Sequence, residues 1–373
     1  MKNSPSLHVL IMPDFRYPNP YQSLLAEALE KQGVTVEFWR YPYVKTFPIF
    51  RAAVIQAWKN PKNSYQVVHL HWIHEYIESY SQLKQLWRSL KFILDIVCTR
   101  LAGVKIVWTV HNAMAHESKF PRLERWTRSW VAQWVDRLIF HSQSTLESVA
   151  QLYGFAPTKA TAIPIGHYRD IYHPLIDPIL ARAELGLPGT RRIYLHFGLL
   201  RPYKGIEKLI QAWQNWTSDD SLLVIAGKPQ DEAYKNKLNQ QVEGISTIRL
   251  YPEYIDNSKL HLFFSAANIV VLPFDKILNS SSLILAMSYA KPIIAPRLGG
   301  IPETMKDADT LLYDPEDEQG LIKALEKSKH VILDELSESV IKVCDQLDWN
   351  GIGKKTLEVY QMAMNTYSTT EIR

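Results

Sequence analysis

The chain has 373 residues, is 46% hydrophobic and 21% charged, and carries a formal net charge of +4. This composition excludes a disordered, collagen-like or low-complexity protein, and the length suits two domains with cores of their own. Cys98 and Cys344 lie far apart in helix-like patterns, so buried thiols in a reducing compartment are expected in place of a disulfide. No apolar run approaches the roughly 18–20 residues of a membrane span. Leu7–Met12 is strand-sized and is followed by Asp14, not by a small-residue cleavage site, so a cytoplasmic protein without a signal peptide is expected.

In chain order, short apolar strands are predicted at 7–12, 35–38, 67–70, 105–110, 137–140 and 161–165. Helical patterns lie between them, for example at 21–32 and 84–101. A proline- and aspartate-rich stretch, Pro164–Pro188, reads as the hinge. The alternation then resumes, with strands at 192–197, 222–226, 247–250, 269–272, 292–295 and 310–313. Helices are predicted at 206–213, 234–242, 260–266, 281–289 and 320–328, and a last helical pattern covers 354–364. Short apolar strands alternating with helices imply an α/β protein with two doubly wound parallel sheets. Sites in such sheets lie at the carboxyl ends of strands.

Charge is unevenly divided, at +8 over residues 1–173 and −4 over 174–373, and nine of the 12 histidines fall in the first stretch. A basic first half points to an acidic partner, anionic lipid or nucleic acid, and no nucleic-acid motif accompanies the charge. The segment 84–92 suits a helix lying on an anionic membrane. Leu83, Leu86, Trp87, Leu90 and Leu94 share one face, and Lys84, Arg88 and Lys91 line another. The aromatic-basic segments 38–45 and 119–128 add to this bias, and a buried amphipathic helix with a solvated basic face is the alternative.

The strand at 192–197 runs into Gly198, then Arg201 and Lys204, then a helix. A second strand, 269–272, leads to Asn279, Ser280, Ser281 and Ser282 at another helix start. Two cations and two helix N-termini suit a nucleoside diphosphate, because backbone N–H groups, helix dipole and side-chain charge converge on it. A solvated basic loop is the plainer alternative.

Taken with Ala226-Gly-Lys228, 266–273, Ala286-Met287, 291–295 and Gly299-Gly-Ile-Pro-Glu303, these motifs resemble the nucleotide-sugar domain of GT-B glycosyltransferases of the family-4-like (group 1) branch. His69-Leu-His-Trp72, Thr109-Val-His-Asn112, Phe140-His-Ser142 and 163–167 extend the resemblance to the first half. It implies two Rossmann-like domains facing a cleft, an acceptor-side domain over 1–172 and a donor domain over 173–346. A tail, 347–373, would cross back onto the first domain. It implies a UDP- or GDP-sugar as co-substrate, no cofactor, and Gly198, Arg201, Lys204, the 279–282 segment and Glu303 at the donor. The two glutamates of the family pattern are replaced by Ile277 and Leu285, which leaves retention or inversion open. The resemblance places His111 near the donor sugar. His116 and Glu117 are candidate bases for an inverting reaction, and His71, His74 and Asn112 candidate acceptor-side residues. The spacings His69/His71 and His111/His116 are not completed into a metal site by any cysteine or carboxylate set, so none is expected. A saccharide or lipid-linked acceptor is expected, with the enzyme at the inner face of the cell membrane. A 2-epimerase-like enzyme and a nucleotide-sugar-binding pseudoenzyme stand as rivals.

Overall fold

The computed structural model describes residues 7–17, 19–39, 47–55, 64–114, 118–216 and 220–365. They form two compact units, one holding the residues up to Ile165 and from Asp348 onward, the other Gly166–Leu347. The first unit has β1 (His8–Met12), β2 (Thr35–Phe38), β3 (Val67–Leu70), β4 (Lys105–Thr109), β5 (Arg137–Phe140) and β6 (Ala160–Ala162) in the order β2-β1-β3-β4-β5-β6. The second has β7 (Arg192–Phe197), β8 (Ser221–Ala226), β9 (Ile248–Tyr251), β10 (Ile269–Val271), β11 (Ile293–Pro296) and β12 (Leu312–Tyr313), ordered β12-β11-β10-β7-β8-β9. Every strand pairing among the described residues is parallel. β3, β4 and β8 are buried along their whole lengths, as strands covered by helices on both faces are. Strand order reverses between β1 and β3 in one sheet and between β7 and β10 in the other. These are the switch points where open α/β sheets leave a crevice.

Strand positions agree with the sequence to within a residue or two except β6, which ends at Ala162. Pro164 has no N–H to donate, so the ladder stops after Ile163 bonds Phe140 O. The stretch read as the hinge holds the boundary between the two units, after Ile165, and also contains a helix, Pro178–Glu184. Asp177 accepts from the backbone N–H of Ile179 and Leu180, and Pro178 takes the first helical position. Arg182 fastens this helix through Ala266 O, Gly189 O and Asn268 Oδ1. The prolines there start and flank this packed helix.

The last helix, Trp349–Asn365, packs on the helix Tyr21–Glu30 within the first unit. Gly353 sets the closeness of that crossing, since a Cβ there would stand 2.7 Å from Ala28 O. Val359, Tyr360 and Ala363 are buried in the contact, while Met362 is 44% exposed.

Candidate functional site

In the second unit the switch point brings the β7 and β10 loops together. Gly205, at φ +70°, lies so near the β10 loop that a Cβ would stand 2.0 Å from Pro273 O. Only glycine allows both that approach and the left-handed backbone. Asp275 N donates to Tyr203 O at 3.0 Å and fixes the two loops to each other. Gly198, at φ +121°, is bordered by Lys204 Nζ and Ser282 Oγ, 2.8 and 3.1 Å from the place a Cβ would take. The two predicted segments therefore meet around Gly198.

Lys204 is 7% exposed. Burial, with Arg201 as a second cause, lowers its ammonium from 10.5 to about 8. Behind it, buried His196 donates Nδ1–H to Val271 O at 2.9 Å, and burial and Lys204 keep it neutral, at about 3. A buried cation beside a neutral imidazole and a second cation is held at a cost that an arriving anion relieves. Ser280 caps the helix Ser281–Ser288 by accepting from Leu283 N at 3.0 Å, so Ser281 and Ser282 form its first turn. Asn279 is half-buried beside them. Glu303 is exposed in the first turn of the helix Ile301–Met305, preceded by Gly299 packed on Ile277 O and Leu278 O. Leu285 is buried, so an apolar side chain fills the place of the absent carboxylate.

In the first unit, β3, β4 and β5 each run into a histidine, and their adjacency sets the three side by side. His71 Nδ1 lies 2.9 Å from His111 Nε2, and His111 Nδ1 lies 3.2 Å from His141 Nε2. His141 Nδ1 meets Ile163 O at 3.0 Å. His111 stacks on Trp72 with ring centroids 4.4 Å apart, and Tyr21 stands edge-on to all three imidazoles. His69 lies below, bonded at 2.7 Å to both Tyr360 Oη and Thr109 Oγ1. Burial lowers all four, His69 to about 3 and His141 to about 4, so the cluster is neutral at physiological pH.

Of the residues singled out from the sequence, His71 and His111 are joined. His74 opens the short helix His74–Ile77, lowered to about 4 by burial and by Arg128. Asn112 offers its carbonyl to Arg128 Nη1 at 3.1 Å. His116 and Glu117 lie outside the described residues, as does 40–45 of the first aromatic-basic segment. His69, His141, Tyr21 and Tyr360 were not singled out as site residues. The signal for His141 was its place directly after a strand, the same place that His111 takes one residue beyond Val110.

Two family models match the chain, Glycosyltransferase Family 4 over residues 17–167 and Glycosyl transferases group 1 over 179–340. The chain belongs to the group 1 glycosyltransferases. This glycosyltransferase is 28% identical over 306 residues to the GDP-mannose:glycolipid 4-beta-D-mannosyltransferase of Xanthomonas campestris pv. campestris, covering 80% of each chain. It is 23% identical over 244 residues to D-inositol 3-phosphate glycosyltransferase 2 of Catenulispora acidiphila, covering 61% of this chain and 56% of that one. Its fold is GT-B. Anabaena HepE in complex with UDP matches with a TM-score of 0.72 at 16% identity, over 95% of this chain and 99% of its own. Sucrose-phosphate synthase from Thermosynechococcus elongatus matches at 0.73 and 19%, over 97% and 100%.

Proposed function

We propose that this glycosyltransferase moves a hexose-type sugar, mannose first among the candidates, from a nucleoside-diphosphate donor to a lipid-linked saccharide. The observation that carries this reading is the buried ammonium of Lys204 at the β7–β10 switch point, beside Gly198, Ser282 and Arg201. The departing diphosphate gains negative charge as the glycosidic bond breaks, and preorganised cations and N–H groups stabilise it more than they stabilise the bound donor. Arg201 adds a planar fork to the compact charge of Lys204, and the reading assigns leaving-group stabilisation to them and to no metal or cofactor. The Xanthomonas relative, named for GDP-mannose, a glycolipid and a β-mannosyl product, favours GDP-mannose over UDP-sugars here. Making a β product from an α-linked donor inverts the anomeric centre and requires a base, which the absence of both family glutamates accommodates.

The acceptor side is supported by the helix Gln82–Leu101, which buries Phe92 and Ile96 yet leaves a second set of apolar side chains exposed. Gln85, Ser89, Asp95 and Thr99 are buried, while Leu83 (78% exposed), Trp87 (63%), Leu86, Leu90, Leu94 and Leu101 form an outward stripe. Trp126 and Trp130 add exposed rings on the helix Pro121–Trp134, and Lys91 Nζ sits 5.3 Å from the Trp87 ring centre. An exposed apolar stripe edged by Lys84 and Lys91 suits the headgroup region of an anionic bilayer, at the inner face of the cell membrane in this reading. No helix among the described residues is long and apolar enough to cross a membrane.

Thermal-shift measurements with UDP, GDP and their sugars test the donor, since a ligand that binds only the folded state raises the melting temperature. GDP and GDP-mannose are expected to stabilise most, followed by GDP release when a detergent-dispersed lipid-linked saccharide is added. Nucleotide binding without turnover on any acceptor would favour the pseudoenzyme. An epimerised nucleotide sugar or free sugar formed without acceptor would favour the epimerase.

A further inference from the structure

Three imidazoles form one hydrogen-bonded row at the ends of β3, β4 and β5, and a single fixed acceptor sets its direction. The carbonyl of Ile163 can only accept, so His141 carries its proton on Nδ1. Neutral His141 then has a lone pair at Nε2 and accepts from His111 Nδ1–H. By the same rule His111 Nε2 is a lone pair and accepts from His71 Nδ1–H. The row ends at His71 Nε2, a buried nitrogen with no hydrogen-bond partner among the described residues, on a side chain 1% exposed. Buried polar atoms are nearly always satisfied, so an unpartnered lone pair at the end of an oriented row needs a reason. His69 shows the contrast, with both its nitrogens engaged by the Tyr360 and Thr109 hydroxyls.

We propose that His71, His111 and His141 form an oriented proton relay that begins at His71 Nε2 and receives there the proton released by the acceptor hydroxyl. This deepens, and rests on, the inverting-transfer reading above. The acceptor O–H bond breaks as an Nε2–H bond forms on His71, and the oxygen's electron pair bonds to the sugar carbon as the diphosphate leaves. His71 passes its Nδ1 proton to His111 Nε2, and His111 passes its own to His141 Nε2. The positive charge comes to rest on His141, whose Nδ1–H still points at the Ile163 carbonyl. The reverse shifts return the proton to water through His71 Nε2 after the products leave. His71 takes the proton, and His111 and His141 are positioning residues that act through it.

Full-length protein with ring-¹⁵N histidine tests the relay without any substrate, with resonances assigned by single His→Gln variants. At pH 7 the expected state is neutral His71, His111 and His141, each protonated on Nδ1 and bare on Nε2. A proton on Nε2 of His71 or of His141 would overturn the relay. In turnover, His141→Phe is expected to lower kcat on the order of 10²-fold. The donor KM is expected to stay within about twofold of wild type, a split that general loosening of the fold does not produce. A folded His141→Phe enzyme with wild-type kcat would also overturn it. A wild type that transfers no sugar from any donor removes the transfer reading, and the ¹⁵N measurement on wild type then decides the relay alone.

Discussion

Lys204 makes the strongest quantitative prediction, because its burial couples nucleotide affinity to pH. In the unfolded chain the ammonium holds its proton up to about 10.5, whereas in the folded protein it releases it near 8. If the diphosphate binds the charged form, that form is about nine-tenths populated at pH 7 and about one-tenth at pH 9, so the apparent Kd for GDP rises about tenfold across that interval and about 30-fold by pH 9.5. A bound anion restores the ordinary proton affinity, so the weakening levels off above pH 10.5. The terminal phosphate, titrating near pH 6, sets the lower edge of the affinity plateau. The same residue affects folding with a definite sign. Between pH 8 and 10.5 the unfolded chain holds more protons than the folded one, so stability rises with pH through that window. Below 8 the whole penalty is present, on the order of 3 kcal/mol as an upper bound, so Lys204→Met should melt higher than wild type at pH 7 while binding GDP worse. Isothermal titration calorimetry of both proteins with GDP from pH 6 to 9.5 measures this directly. A wild-type Kd flat from pH 7 to 9.5, or a Lys204→Met protein with the wild-type slope, refutes the placement of the ammonium at the phosphates.

Gly198→Ala puts a methyl group 2.8 Å from Lys204 Nζ at φ +121°, so weaker GDP binding and a lower melting temperature are expected together, and unchanged calorimetry would count against this loop geometry. Gly353→Ala drives a methyl into Ala28 O and should cost about 1–3 kcal/mol in urea unfolding by separating the two helices. Tyr360→Phe removes the hydroxyl at His69 Nδ1 and should cost about 1–3 kcal/mol while leaving GDP affinity as it was, since the nucleotide is assigned to the other unit. Lys84→Glu with Lys91→Glu, or Trp87→Ser alone, should strip the protein from anionic phosphatidylglycerol vesicles in a flotation assay, with wild-type binding weakening as salt rises. Equal recovery of wild type and variants in the unbound fraction would leave the stripe without a lipid partner.

What the sequence determined by itself is what local chemistry encodes. Runs such as Ile269–Val271 and Leu222–Ala226 are apolar throughout because parallel strands are buried on both faces, so they are legible without any partner. Gly198, Arg201, Lys204 and Gly205 stand within eight residues between a strand and a helix, so the phosphate-suited loop is legible too. The tertiary structure decided what depends on neighbours far apart in the chain. The sequence does not show that Lys204 is buried, which together with the nearby Arg201 depresses its proton affinity, or that Ser282 reaches Gly198. The stripe on Gln82–Leu101 repeats like any amphipathic helix, and only packing shows that Leu83, Trp87, Leu90 and Leu94 face outward while Phe92 and Ile96 are buried with Gln85, Ser89 and Asp95. His71, His111 and His141 are spread over 71 positions. Parallel pairing of β3, β4 and β5 places their chain ends side by side, and a carbonyl contributed after β6, Ile163 O, then fixes where every proton in the row resides. Directional hydrogen bonding across a sheet depends on strand adjacency, and a pattern read one residue at a time along the chain does not contain it.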